Sequence, residues 1–382
     1  MPADRTCISA DSHVVEPPEL FAPLERRFGE HAPRIRVADP DVGPQLDLGN
    51  VSLGLPLAGF FLANVDFRSP DARGLLAKGY EGARQGVYDV KARLEDQTAV
   101  GIDAEVVYPS VIFNLYQLAD KEVLKAAFQA YNDWTTEYCA RAPGQLFPLA
   151  CIQLYDLDDA IAELERARRL GHVGACIAAT APPTARYTQR IYDRFWAAAQ
   201  EMEMPLAMHL STGATPNHGL PFREATYPLA FAGVMFPIAD LIHSGVCERF
   251  PRLRFVITEF EAGWAAIMLR RLGWSCIRAG GPRSPASPSP RPTTGVRASS
   301  SPSGTTTWRC APGTSSAPTP CSGGATTPNG DSIFPNSPAT LNRILEACTP
   351  KERLTMTAAN VVDLYHLPFD VPAPLEASVG AI

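Results

Sequence analysis

Asp11 and His13 stand two residues apart at the end of a short apolar run, Ile8 to Ala10. Side chains at i and i+2 of a strand point to the same side, so an acid and an imidazole spaced this way can grip one cation. His209 closes a second run, Pro205 to Leu210 (PLAMHL), and can supply a third ligand. One carboxylate with two imidazoles suits one divalent metal ion, Zn2+ first and also Mn2+ or Fe2+, with positions left for water or substrate. A lone histidine at a strand end is more often structural than ligating, so the weight rests on the three residues together.

Two further groups are candidates for catalysis. Glu259 follows the run Leu253 to Thr258 (LRFVIT) and could serve as general acid or base beside a metal; its alternative is a first-turn acid ahead of the helical stretch Ala262 to Leu272. His243, before Ser244-Gly245, falls at a helix end, where contact with the helix dipole is the ordinary role. Glu16, His218 and Trp264 are candidate substrate contacts: Glu16 for its closeness to the Asp11/His13 pair, His218 for its place in the loop after His209, Trp264 as a pocket wall. His31, His172 and His366 join no constellation.

The elements that position these residues alternate. Apolar runs at Ala104 to Tyr108, Leu146 to Leu154, Ala175 to Thr180, Pro205 to Leu210 and Leu253 to Thr258 read as strands. Helix-period stretches separate them: one capped by Asp156 with Leu157, Ile161, Leu164 and Ala167 on one face, another from about Gln189 to Glu203, a third from about Phe231 to Phe250. Near-continuous apolar strands alternating with helices predict a parallel sheet covered by helices. With six such units the expected fold is an α/β (β/α)8 TIM barrel of the metal-dependent hydrolase type. Asp11, His13, His209 and Glu259 then all fall at the strand ends where barrels carry their active sites. The barrel is expected over residues 1–280, with an insertion at about 21–97 read as a lid.

Between about Gly281 and Pro328 the composition changes: there is no Asp, Glu, Lys, Leu, Ile, Met, Phe or Tyr. So little to bury predicts disorder, hence disrupted strands seven and eight. One reading is a Pro/Ser/Thr-rich linker; the sharper one is a shifted reading frame in a GC-rich gene. Cys321 to Pro328 (CSGGATTP), back-translated and reread one base over, can give VLWGRDYP running into Asn329-Gly330-Asp331. Residues 329–382 then supply C-terminal helices that complete the barrel.

The bulk composition narrows the function classes. A net charge of -6 argues against a nucleic-acid partner. No apolar run is long enough to cross a bilayer. Nine cysteines without CxxC pairs, behind an N-terminus lacking signal-peptide order, fit reduced thiols and a cytoplasmic location.

ADSHVVEP, PLAMHLSTG and SGVCERFPRLRFVITEFEAGW together resemble the amidohydrolase-related family that includes aminocarboxymuconate-semialdehyde decarboxylase and γ-resorcylate decarboxylase. The resemblance runs over roughly residues 6 to 275 and returns from about Gly330 to Leu367. It implies a (β/α)8 barrel with one divalent metal, usually zinc or manganese, and assembly as a homodimer or homotetramer. By position, Asp11 and His13 match the first-strand ligands and His209 the fifth-strand ligand. The remaining family ligand, an Asp in a W-G-x-D-Y-P phrase ending the eighth strand, has no counterpart here; the matching place is Ala325 to Pro328. Glu259 stands where the decarboxylases carry a catalytic histidine. The function implied is decarboxylation of a small aromatic or unsaturated carboxylic acid. The alternatives are metal-dependent hydrolysis of an amide, ester or C–C bond, and an inactive product lacking the last metal-binding Asp.

Overall fold

The computed structural model describes residues 6–39, 43–48, 52–57, 74–182 (save 76), 185–212, 232–260, 264–272 (save 266, 269 and 270), 294–300, 306–312 and 334–371. The chain opens on strand β1 (Ile8–His13), every residue of which is buried. The expected insertion follows, built from a short helix (Ala22–Phe28) and an antiparallel sheet of β2 (Arg34–Asp39), β3 (Gly43–Asp47) and β4 (Ser52–Pro56). Helix Val90–Val100 then leads into the next strand. Asp89 caps that helix by accepting the Ala92 amide, and Gly101 ends it in the left-handed conformation, turning the chain toward the next strand.

The barrel then proceeds through β5 (Ala104–Tyr108), β6 (Leu146–Cys151), β7 (Gly174–Ile177), β8 (Leu206–His209) and β9 (Arg254–Thr258). Together with β1 these six strands pair in parallel, in chain order. Such pairing demands crossover connections, and helices supply them. Lys121–Cys139 runs ahead of β6, Leu157–Arg169 ahead of β7 and Asp193–Glu201 ahead of β8. Asp156 caps the second as expected, accepting the amides of Asp158 and Asp159, and Leu157, Leu164 and Ala167 face the core. The expected helix from about Phe231 to Phe250 is two helices, Ala232–His243 and Val246–Arg249, broken where Gly245 takes a left-handed φ of 73°.

Past β9 the structure departs from expectation. The Pro/Ser/Thr-rich region, expected to hold little regular structure, contributes β10 (Thr294–Ser300) and β11 (Thr306–Pro312). They form an antiparallel hairpin, and β11 pairs antiparallel with β9, from Thr306 opposite Ile257 to Arg309 opposite Arg254. The reason is the sheet edge. After six strands β9 presents a row of backbone donors and acceptors that require partners. A parallel seventh strand, buried on both faces, would need a near-continuous apolar run, which this composition does not offer. A hairpin needs only a short turn and strands tolerant of Thr and Val.

C-terminal helices Ser337–Ile344, Pro350–Leu354 and Asn360–Tyr365 lie beyond. They seat on the barrel through Tyr365, whose hydroxyl lies 3.2 Å from that of Tyr108, and through Arg254, which donates to the Asp363 carbonyl at 2.5 Å. Among the described residues no helix is long and apolar enough to cross a membrane.

Candidate metal centre

The strand ends bring four donors together. Asp11, His13, His209 and Glu259 each offer one ligand atom, all within 4.8 Å of one another. His13 Nε2 lies 3.4 Å from Asp11 Oδ1, 3.3 Å from Glu259 Oε1 and 3.2 Å from His209 Nε2. His209 Nε2 lies 3.5 Å from Glu259 Oε2 and 3.9 Å from Asp11 Oδ1. A tetrahedron of nitrogen and oxygen donors about 2.1 Å from a divalent ion has edges of about 3.4 Å. The observed spacings scatter around that value, so the four residues fit such an ion.

Local structure accounts for the aim of each donor. The β1–β5 register slips between Ser9 and Ser12, a bulge of the kind that re-aims side chains beside sites. Serines knit that bulge: Ser12 Oγ meets Ser9 Oγ at 2.8 Å, and Ser9 Oγ donates to the Asp11 carbonyl at 3.2 Å. His13 Nδ1 sits 2.7 Å from the Pro109 carbonyl, which must be accepting its proton, so Nε2 is the nitrogen turned toward the other donors. His209 ends β8 directly beside Thr258, the last residue of β9. Glu259 follows with a φ of 62°, a conformation that a non-glycine residue adopts only where its surroundings hold it.

Electrostatics reflects the same clustering. Burial alone would lower the His13 pKa, but the hydrogen bond to Glu259 and the charge of Asp11 outweigh it and raise the imidazole to about 9. Burial, aided by the His13 charge, pushes His209 down to about 3. The carboxylates thus favour a charge on His13, while burial keeps His209 neutral.

Phe113 and Tyr108 wall the centre, though neither stands out in the sequence. The Phe113 ring stacks on His209 at 4.4 Å between centroids and 27° between planes; Tyr108 lies 6.0 Å from the His13 ring and 5.7 Å from that of His209. Phe113 rides on a 3-10 helix, Val111–Gln117, whose entry Glu16 organises. The Glu16 carboxylate is buried and accepts the amides of Ser110 at 2.9 Å, Val111 at 2.8 Å and Ile112 at 3.3 Å. Its expected role as a substrate contact is therefore corrected: its oxygens serve the backbone.

Three sequence candidates remain, Trp264, His243 and His218. Trp264 is buried in the core, and its indole donates to the Phe260 carbonyl at 2.6 Å. His243 is exposed in the last turn of its helix, where a dipole contact is expected. His218 lies outside the described residues.

Residues 91–279 match the family model described as an amidohydrolase. γ-Resorcylate decarboxylase of Rhizobium radiobacter is 29% identical over 166 residues, covering 39% of this chain and 49% of its own length. That of Rhizobium sp. (strain MTP-10005) is 28% identical over 155 residues, covering 36% and 46%. The chain thus spans about half the length of the curated relatives it matches. The structure of 5-carboxyvanillate decarboxylase from Sphingomonas paucimobilis superposes with a TM-score of 0.60 at 16% identity, over 95% of this chain and 100% of that one. A dihydroxybenzoic acid decarboxylase from Polaromonas sp. JS666, solved with manganese and 2-nitroresorcinol, gives 0.59 at 16% identity over 95% and 97%. An amidohydrolase from Mycobacterium avium subsp. paratuberculosis K-10 gives 0.59 at 18% identity over 76% and 80%. These superpositions show the fold, and the match of residues 91–279, just short of half of the chain, makes that stretch similar to the amidohydrolase-related (amidohydrolase 2) family.

Proposed function

We propose that this protein is a metal-dependent carboxy-lyase acting on a small aromatic or unsaturated carboxylic acid. The observation that carries the reading is the convergence of Asp11, His13, His209 and Glu259 within 4.8 Å at the strand ends. Two carboxylates and two imidazoles suit Mn2+ as well as the Zn2+ first expected, and with half the donors oxygen we favour Mn2+. When bound, such an ion supplies a Lewis acid that anchors a carboxylate and its neighbouring oxygen and stabilises charge developing beside the breaking bond.

The chain's own residues prepare the rest. Phe113, stacked on His209, offers an apolar face against which a substrate ring can lie. Glu16 fixes the backbone that carries Phe113. Arg93 donates to the His13 carbonyl at 2.8 Å and so holds the strand end that presents the ligand. Glu259 faces both imidazoles and is open to two roles, ligand or proton carrier. In the overall reaction the carbon–carbon bond to the carboxylate breaks, CO2 departs, and a proton takes its place on the ring or vinyl carbon.

The experiment is to load the full chain with Mn2+ or Zn2+ and measure CO2 release from a panel of hydroxybenzoates and muconate semialdehydes. Gas released in step with loss of substrate supports the lyase. Turnover of an ester or amide with no gas assigns hydrolysis instead, and a metal-loaded chain inert toward both panels favours the inactive product. Cys7, Cys139, Cys151, Cys176, Cys247 and Cys348 are free thiols, which accords with a reducing compartment. Assembly as a dimer or tetramer is part of the same proposal, read out by light scattering.

A further inference from the structure

The metal reading above leaves open what completes the ion's donor set, and sequence and geometry together answer that. From Ala262 to Gly330 the chain contains no Asp, Glu or His. That stretch follows the last parallel strand and would carry the remaining strand ends of a full barrel. No carboxylate or imidazole can come from it.

Glu259 meets the need from the neighbouring strand end. Its two oxygens are split between the imidazoles, Oε1 at 3.3 Å from His13 and Oε2 at 3.5 Å from His209. Both distances lie close to the edge of about 3.4 Å expected of a four-donor cage. The left-handed backbone at Glu259 follows β9 directly, so the carboxylate is returned to the strand ends within one residue of Thr258.

Charge points the same way. Asp11, His13 and His209 are at most 3% exposed. A divalent ion held there by one carboxylate and two neutral imidazoles would carry a net positive charge in a site shielded from water. A second carboxylate neutralises it.

We infer that Glu259 is a direct ligand of the divalent ion, completing a set with Asp11, His13 and His209 and standing in for the eighth-strand aspartate. The inference rests on the metal reading of this centre and deepens it. Glu259 then belongs to the ion and is not a free acid or base.

The test uses the full chain, stripped of metal and titrated with Mn2+ while the paramagnetic resonance signal of free Mn2+ is followed. The parent should bind one ion. Glu259→Gln should weaken binding by about 100-fold or more, beyond the range typical of groups that only support a ligand, and by as much as Asp11→Asn. Replacing Mn2+ with Co2+ gives a second readout: the visible absorption of the bound ion should change between the parent and Glu259→Gln. Binding by Glu259→Gln within about threefold of the parent, with Asp11→Asn impaired, overturns the inference and leaves the metal centre standing. If the parent binds neither Mn2+ nor Zn2+, the metal reading fails and takes the inference with it. Thermal unfolding of the metal-free forms checks that Glu259→Gln keeps the fold; if it does not, Glu259→Asp, which draws the oxygens back by one methylene, is read in its place against the same limits.

Discussion

The Arg93 guanidinium donates from Nη1 to the backbone carbonyl of His13 at 2.8 Å and from Nε to Glu105 Oε2 at 2.5 Å. Arg93 and Glu105 are 1% and 3% exposed, so a buried ion pair lies directly beneath a candidate metal ligand. Helix Val90–Val100 delivers the arginine, β5 the glutamate, and β1 the carbonyl they hold. The charge of Glu105 keeps Arg93 protonated against the pull of burial.

Removing one partner strands the other charge. Arg93→Met should cost about 3–5 kcal/mol of unfolding free energy in urea, because the buried Glu105 side chain is left without its partner. The double variant Arg93→Met with Glu105→Leu should recover most of that loss while leaving the His13 carbonyl unheld. Its Mn2+ affinity is expected to stay below that of the parent, separating the stability role from the positioning one. Full recovery of both would show that the pair serves the fold alone.

Phe113 tests the aromatic wall. Phe113→Leu keeps most of the buried volume but removes the face stacked on His209. An aromatic contact of this kind contributes about 1 kcal/mol beyond its area. The expected result is a rise in KM for an aromatic acid of about fivefold to tenfold, with urea stability changed far less than by Phe113→Ala. An unchanged KM would place the substrate elsewhere.

Much of this could be read beforehand because two periodicities carry it. Period-two placement puts Asp11 and His13 on one side of a strand, and strand–helix alternation puts His209 and Glu259 at the same end of a barrel. Phe113, Arg93 and Glu105 were less legible. Their roles arise from contacts 12 to 96 residues apart along the chain, from Arg93–Glu105 through Arg93–His13 to Glu16–Ile112, which no local pattern encodes. One signal was present: Glu105 is an acid inside an otherwise apolar strand, AEVVY, and a buried acid requires a partner. Closeness in sequence to Asp11 and His13 marks Glu16 as a candidate, but does not reveal the three backbone amides 94 to 96 residues away that its carboxylate accepts.

His172 provides a pH signature away from the metal. It is fully buried; its Nε2 lies 3.1 Å from the Asn132 carbonyl and 3.0 Å from Thr136 Oγ1. Burial pushes its pKa down to about 4, against an ordinary value near 6.5. As pH falls from 6.5 toward 4, the unfolded chain takes up a proton that the folded chain refuses, so stability falls across that window, by about 3 kcal/mol in all. Urea unfolding at stepped pH should show this slope in the parent, and His172→Gln should reduce it, leaving the part owed to the likewise depressed His209. Parallel slopes would assign the acid sensitivity to other groups.

The hairpin β10–β11 makes the last prediction. β9 lies between β8 on one side and β11 on the other, so the hairpin covers the only edge through which Arg254–Thr258 could pair with another molecule. Deleting 294–312 should expose that edge, speed amide exchange along the outward side of β9 and promote self-association, read by exchange mass spectrometry and light scattering. We also propose that this stretch derives from a shifted frame, and the two ideas are separable. A surplus cytosine in the codons around Pro328 would establish the origin of the sequence, whereas the exchange experiment asks what the chain as translated does with it. Because an unpaired strand edge requires a partner whatever its ancestry, protection of β9 should depend on the hairpin in either case.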